Sequence, residues 1–112
     1  MSGGGKLGFE ALNTALKAAG EETRLRVLAL LAEAELTVSD LTDILRQSQP
    51  RISRHLKLLV EAGLVERFRE GTWAFFRLAE HGAGADVASA LIERLDPGDH
   101  TVRRDHARQD RG

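Results

Sequence analysis

The run from Ser48 to Gly63, SQPRISRHLKLLVEAG, limits what this chain can fold into more than any other stretch. At about 100° per residue its side chains sort onto two unlike faces of one helix. Ile52, Leu56 and Leu59, with Val60 beside them, fall on one side, and Ser53, Lys57, Pro50 and Arg54 fall on the other. Arg51 sits at the edge of the polar arc, close to Leu58. Arg51, Arg54 and Lys57 occur in Ser48 to Val60 without a single acid, whereas Leu30 to Arg46 holds Glu33, Glu35, Asp40 and Asp43 against one arginine. The net charge of −1 therefore says little. Local charge decides whether a surface can meet a phosphate backbone, and this helix can bury one face while offering the other.

The chain has 112 residues, 42% hydrophobic and 29% charged, which suits one globular domain. Trp73 and four phenylalanines are its only aromatics, so the core must be aliphatic, and help from a partner is reasonable for so small a unit. The absence of cysteine excludes disulfides, thiolate metal sites and thiol redox chemistry. No apolar run approaches the roughly 18 residues of a membrane span. The start MSGGGKLG lacks the apolar core of a signal peptide, which makes the cytoplasm the expected location.

Residues 1 to 7 are glycine-rich and are expected to be disordered, with one folded domain over residues 8 to 96. Phe9, Leu12, Leu16 and Ala19 form a helical stripe that Gly20 ends, and Glu21 and Glu22 stand where acids favour the start of a second helix. That helix, ETRLRVLALLAEAE, is apolar round most of its circumference and reads as the central one. Thr37 and Asp40 are spaced as a capping box for a short helix carrying Val38, Leu41, Ile44 and Leu45 and ending near Arg46. Gln47 and Ser48 make the turn, Ser48 can cap the next helix through its hydroxyl, and Pro50 fits the first turn. This spacing is a helix-turn-helix, with Gly63 as the left-handed stop. Two strands follow, Leu64 to Arg69 and Thr72 to Leu78, around Glu70-Gly71, and a hairpin at that place is a wing. The period-2 pattern leaves open whether Trp73 and Phe75 or Ala74 and Phe76 face inward. Val87, Ala88, Leu91, Ile92 and Leu95 mark a last helix ended by Pro97-Gly98, and residues 97 to 112 read as a flexible tail or linker. The fold expected is thus mainly α with a β-hairpin wing.

The segments ALKAAGEETRLRVLALL, ELTVSDL and SQPRISRHLKLLVEAGLVERFREGTWAFFRL, in this order, resemble the ArsR/SmtB family of bacterial winged helix-turn-helix regulators over about Phe9 to Leu95. The resemblance implies a homodimer pairing its first and last helices, a recognition helix in the major groove of double-stranded DNA, and repression relieved by an effector. Phe9, Leu12, Leu16, Leu91, Ile92 and Leu95, core on their own pattern, would then be the dimer interface. Where metal-sensing members read ELCVCDL, this chain reads ELTVSDL, so Thr37 and Ser39 stand in place of two thiolates and the soft-metal site is absent. The family's other metal site needs histidines in the last helix, where Asp86 and Glu93 are offered without one. No metal and no cofactor is expected, and the effector is an unknown small molecule. The segment from Ser48 and the tail LDPGDHTVRRDHARQDRG are also similar to the front end of members fused to a methyltransferase, for which S-adenosylhomocysteine is a conceivable effector and a regulatory module an alternative role.

Gln49, Pro50 and Arg51 sit at the helix start that enters the groove, with Gln49 suited to adenine and Pro50 to a thymine methyl. Ser48, Ser53, Arg54 and Lys57 complete the DNA-facing set, with Arg54 and Lys57 on phosphates or a guanine edge. His55 is either a boundary ring or a phosphate donor. Arg67 and Arg69 share a strand face and either follow the phosphates or pair with Glu66 and Glu70. Trp73 reads as packing, and His100 and His106 as solvated. No catalytic residue is expected: Ser53 and His55, two apart on a helix, point away from each other, and no phosphate loop follows a strand.

Overall fold

The computed structural model describes residues 5 to 111 as α1 (Phe9–Ala19), α2 (Glu22–Leu31), α3 (Val38–Leu45), α4 (Gln49–Glu61), β1 (Val65–Glu70), β2 (Trp73–Leu78), α5 (Ala83–Glu93) and α6 (His100–Arg111). Residues 5 to 7 carry no regular structure, and residues 1 to 4 of the expected disordered start lie outside the described residues. The core is built on α2, whose Val27, Leu28 and Leu30 are fully buried. Leu41, Ile44 and Leu45 of α3 and Ile52, Leu56 and Leu59 of α4 close over it, with Leu64, Val65 and Phe76 at the base of the wing. From α1 only the small side chains Ala15, Ala18 and Ala19 enter this core, so the backbone comes close, and the larger Phe9, Leu12 and Leu16 remain outside.

Local chemistry fixes the helix pair. Thr37 Oγ1 accepts from the Asp40 amide at 3.1 Å and Asp40 Oδ2 accepts from the Thr37 amide at 3.0 Å, the reciprocal capping box. α3 ends at Arg46, which takes the left-handed conformation at φ 59°. The reversal thus begins one residue earlier than Gln47. Ser48 is the extended residue before α4, but its hydroxyl makes no capping bond, contrary to expectation.

β1 and β2 pair antiparallel in the register Val65 with Leu78 through Glu70 with Trp73. Phe76 is 7% exposed and Trp73 62%, which settles the open alternation: Ala74 and Phe76 face inward. Trp73 is therefore not the packing residue it was expected to be. On the outer face Phe68 and Phe75 stack with centroids 5.6 Å apart, and the Arg77 guanidinium lies 4.6 Å over the Phe68 ring. Phe76 also exchanges both backbone hydrogen bonds with Leu36, at 3.1 and 2.8 Å, which ties the wing to the segment just before α3.

The chain after the wing corrects the sequence reading. α5 ends at Glu93, leaving Leu95 beyond it, and the expected flexible tail or linker is, over its described residues 97 to 111, mostly a helix: His100–Arg111 packs on α2 and α3. Periodicity missed α6 because its anchors are mostly polar. Asp105 is 3% exposed, and its two oxygens accept from Arg26 Nε at 2.8 Å and Nη2 at 2.9 Å, while Arg108 Nη1 donates to the Ile44 carbonyl at 3.0 Å. Val102 is its one buried apolar side chain. Asp99 accepts from the amides of Thr101 and Val102 at 2.8 and 3.3 Å, so a capping residue after Pro97-Gly98 was the available signal.

α5 packs so closely on the turn after α4 that a Cβ on Gly84 would lie 2.3 Å from the Gly63 carbonyl oxygen, while Gly63 itself has φ +80°. Both partners are backbone and cannot rotate away. Gly84→Ala is expected to cost about 1 to 3 kcal/mol of stability, the usual scale of overpacking, read as a lower urea midpoint at unchanged m-value. A native midpoint would mean that this approach is not tight.

Candidate nucleic-acid interface

The polar face of α4 is left open by the packing of its other face. Ile52, Leu56 and Leu59 are at most 1% exposed, so rotation of the helix about its axis is blocked, and Gln49, Pro50, Arg51, Arg54 and Lys57 stand outward, all exposed. Ser53 is half-buried and its hydroxyl is 3.1 Å from Gln49 Nε2, which donates to it. Lys57 pairs with Glu61 at 3.1 Å, with both side chains largely exposed, a weak pair that a phosphate can displace. No acid stands in the first turn and no side chain caps it, so free amides and the positive end of the helix dipole meet solvent beside Gln49 and Arg51.

The wing continues this surface. Strand alternation places Arg67 and Arg69 on the face of Ala74 and Phe76, the side turned toward α4. Arg67 lines a groove of about 510 Å³ together with Ser53, Lys57 and Phe76. Of the two readings of these arginines, pairing with Glu66 and Glu70 is not what is found. Glu66 accepts from Arg77 Nε at 3.2 Å and from the Glu80 amide at 3.0 Å, which hold its carboxyl below the usual carboxylate range, the amide having the larger effect. Among the described residues, Arg51, Arg54, Arg67 and Arg69 make no ion pair. They form, with Lys57 and its exposed pair to Glu61, a basic strip from helix to wing.

His55 does not join the strip. Its Nδ1 accepts from Arg24 Nη1 at 3.2 Å, its side chain is 14% exposed, and Glu21 Oε1 lies 3.9 Å away. This is the boundary reading of the ring. Arg24, which the sequence showed only as a break in an apolar helix, is the junction: its Nε donates to the Ala18 carbonyl at 2.6 Å and its Nη2 to the Lys17 carbonyl at 3.4 Å, so it closes the end of α1 while holding α4. Gln47 was also missed as an anchor. Its Nε2 donates to Thr23 Oγ1 at 2.9 Å and fastens the turn to α2.

The remaining candidates divide by position. Phe9 is 87% exposed, Leu16 47% and Leu12 40%, an apolar stripe with no cover in one chain. Leu91 and Ile92 are partly buried against the core, and Leu95 lies in a cleft between α2 and α6 instead of on a helix face beside them.

A central helix, a capped helix-turn-helix and a hairpin wing with a shared basic face define a winged helix-turn-helix DNA-binding regulator. Residues 21–67 match the family model for bacterial regulatory proteins of the arsR family. Over 66 residues the chain is 50% identical to the arsenical resistance operon repressor of Escherichia coli, a match covering 58% of this chain and 56% of that protein. It is 41% identical over 89 residues to an uncharacterized HTH-type transcriptional regulator of Methanocaldococcus jannaschii, covering 79% of this chain and 94% of the relative. A solved homodimeric winged helix-turn-helix DNA-binding domain from Mycobacterium bovis, described as a possible ArsR-family regulator, superposes with a TM-score of 0.65 at 34% identity, covering 75% of this chain and 76% of that one. The chain belongs to the arsR family. It spans about half the length of the Escherichia coli repressor.

Burial holds the His55 imidazole below its ordinary range; Glu21 opposes this, and Arg24, Arg51 and Arg54 add to it. The unfolded chain therefore takes up a proton on this ring at higher pH than the folded chain does. The stability due to the neutral ring is present above the unfolded value of about 6.5 and declines as pH falls through it toward the folded value. Urea midpoints measured from pH 7.5 downward should fall less steeply in His55→Gln than in the native chain. Equal slopes would place the acid sensitivity elsewhere.

Proposed function

We propose that the protein is a homodimeric repressor that binds an inverted-repeat operator in double-stranded DNA. The observation that carries this reading is the basic strip of Arg51, Arg54 and Lys57 on a helix whose opposite face is locked in the core, continued by Arg67 and Arg69 on β1, the four arginines making no ion pair among the described residues. Two copies of α4 related by a two-fold axis would enter successive major grooves about 34 Å apart. Gln49, Pro50 and Arg51 read base edges, Arg54 and Lys57 hold phosphates, Ser48 and Ser53 support them, and Arg67 and Arg69 follow the neighbouring backbone. His55 acts behind this face by holding α4 to Arg24.

The dimer we propose buries the stripe of Phe9, Leu12 and Leu16 on α1, with Leu91 and Ile92 of α5 beside it. The support is that side chains this apolar stand uncovered on the first helix, and that the Mycobacterium bovis relative is described as homodimeric. The releasing signal is a small molecule held without thiolates, since Thr37 and Ser39 occupy the positions where metal-sensing members carry cysteines and Thr37 Oγ1 is already engaged as a helix cap. S-adenosylhomocysteine belongs in the panel of compounds to be titrated.

Fluorescence anisotropy of labelled duplexes across a salt series tests the reading. Arg51→Ala, Arg54→Ala and Lys57→Ala combined should weaken operator binding roughly 100-fold or more, at about 1 to 3 kcal/mol per charged contact. Lys57→Ala alone should weaken all duplexes alike and lower the salt slope by about one. Arg51→Ala should instead relax preference at one base position. Native operator affinity in the triple variant at moderate salt would defeat the proposal.

A further inference from the structure

We infer that the cleft between α2 and α6 is a binding site for a small amine with an apolar body. The cleft has a volume of about 310 Å³, room for roughly ten non-hydrogen atoms at about 30 Å³ for each water-sized group. Leu25, Ala29, Leu30, Leu95 and Val102 make its floor and walls. Its rim is acidic. Glu22, Asp99 and Asp105 set three carboxylates against Arg26 and against Arg104, whose Nε lies 3.5 Å from Asp105, and the remaining negative charge favours a cationic ligand over an anionic one.

One buried carboxylate stands at this cleft, beside a half-buried histidine. The Asp105 side chain is 4% exposed, and each oxygen that takes a bond from Arg26 retains acceptor capacity. His106 lines the same cleft, and its Nε2 is shut off from solvent with no hydrogen-bond partner among the described residues. An ammonium or amine end near Asp105 and Glu22, with its apolar body on Leu25 and Val102, matches both the charge of the rim and the floor of the cleft.

The site also has a route to the DNA-binding face. Asp105, at the cleft, and Arg108, which donates to the Ile44 carbonyl near the end of α3, lie three residues apart on one helix. An occupant that sets the position of α6 against α2 thereby sets the support of α3 just before the turn into α4. This consequence for DNA affinity rests on the repressor reading, whereas the site itself does not.

The test takes the full chain and three probes of similar size, phenethylamine, phenethyl alcohol and phenylacetate, followed by calorimetry and by amide NMR shifts. Phenethylamine should bind with Kd below about 1 mM and about tenfold or more tighter than phenylacetate, with shifts grouped on Leu25, Ala29, Val102 and His106. Glu22→Gln, at an exposed position, should weaken the amine roughly two- to fivefold, the scale of one exposed charge pair, and leave the alcohol unchanged. Val102→Trp should fill the cleft and abolish binding, with circular dichroism reporting its fold. Equal affinity for amine and acid, no binding of the amine, shifts outside α2 and α6, or a Glu22→Gln chain that binds the amine as the native one does would each overturn the site. Duplex affinity is measured separately: phenethylamine should change it in the native chain and not in Arg108→Ala, and an unchanged native affinity would overturn the coupling. A chain that takes up the amine but binds no duplex defeats the repressor reading and leaves the site standing, and duplex binding without amine uptake does the reverse.

Discussion

The basic face of α4 depends on three side chains that cannot reach DNA. Ile52, Leu56 and Leu59 are packed to within 1% of complete burial, against the equally buried Val27, Leu28 and Leu30 of α2 and the apolar edge of α3. A helix held along one edge in a close-packed interior has one rotational setting, because turning it would drive arginines into that interior or leucines into water. Orientation of the side chains on the polar face is thus a property of the core. Among the described residues Arg51 and Arg54 make no ion pair that would fix their chemistry.

Polar joints then complete what apolar packing leaves loose. Arg24 closes the last carbonyls of α1 and holds the His55 ring of α4, and Gln47 pins the turn to Thr23. Arg26 and Arg108 do the same for α6, at Asp105 and at the Ile44 carbonyl. Arg24 uses the planar donor array of its guanidinium to reach two elements at once, which an aliphatic contact cannot do with comparable direction. α1 and α6, whose inward apolar faces amount to small alanines and one valine, depend on these joints most.

The legible parts of the sequence were those decided by neighbours in sequence. The two faces of α4, the Thr37–Asp40 box and the Gly63 stop each follow from spacing within a few residues, and the wing from two β-rich runs around Glu70-Gly71. Alternation in a strand is symmetric, so it could not say that Phe76 goes in and Trp73 out until the strand met Leu36. A helical stripe is likewise silent about what covers it: in α1 the alanines face the core and Phe9 faces out. α6 escaped because Arg26 and Asp105 are 79 residues apart, a distance over which periodicity has no reach. The basic residues of the site were visible as types, while their freedom from ion pairs, and the withdrawal of His55 from their number, required the arrangement of α2 and the wing.

The paired backbone bonds between Leu36 and Phe76 have a mechanical meaning. They fasten the wing to the entry of α3, the helix that leads directly into α4. The wing and α3 are therefore tied to one short backbone segment, so a displacement of Leu36 is transmitted to both.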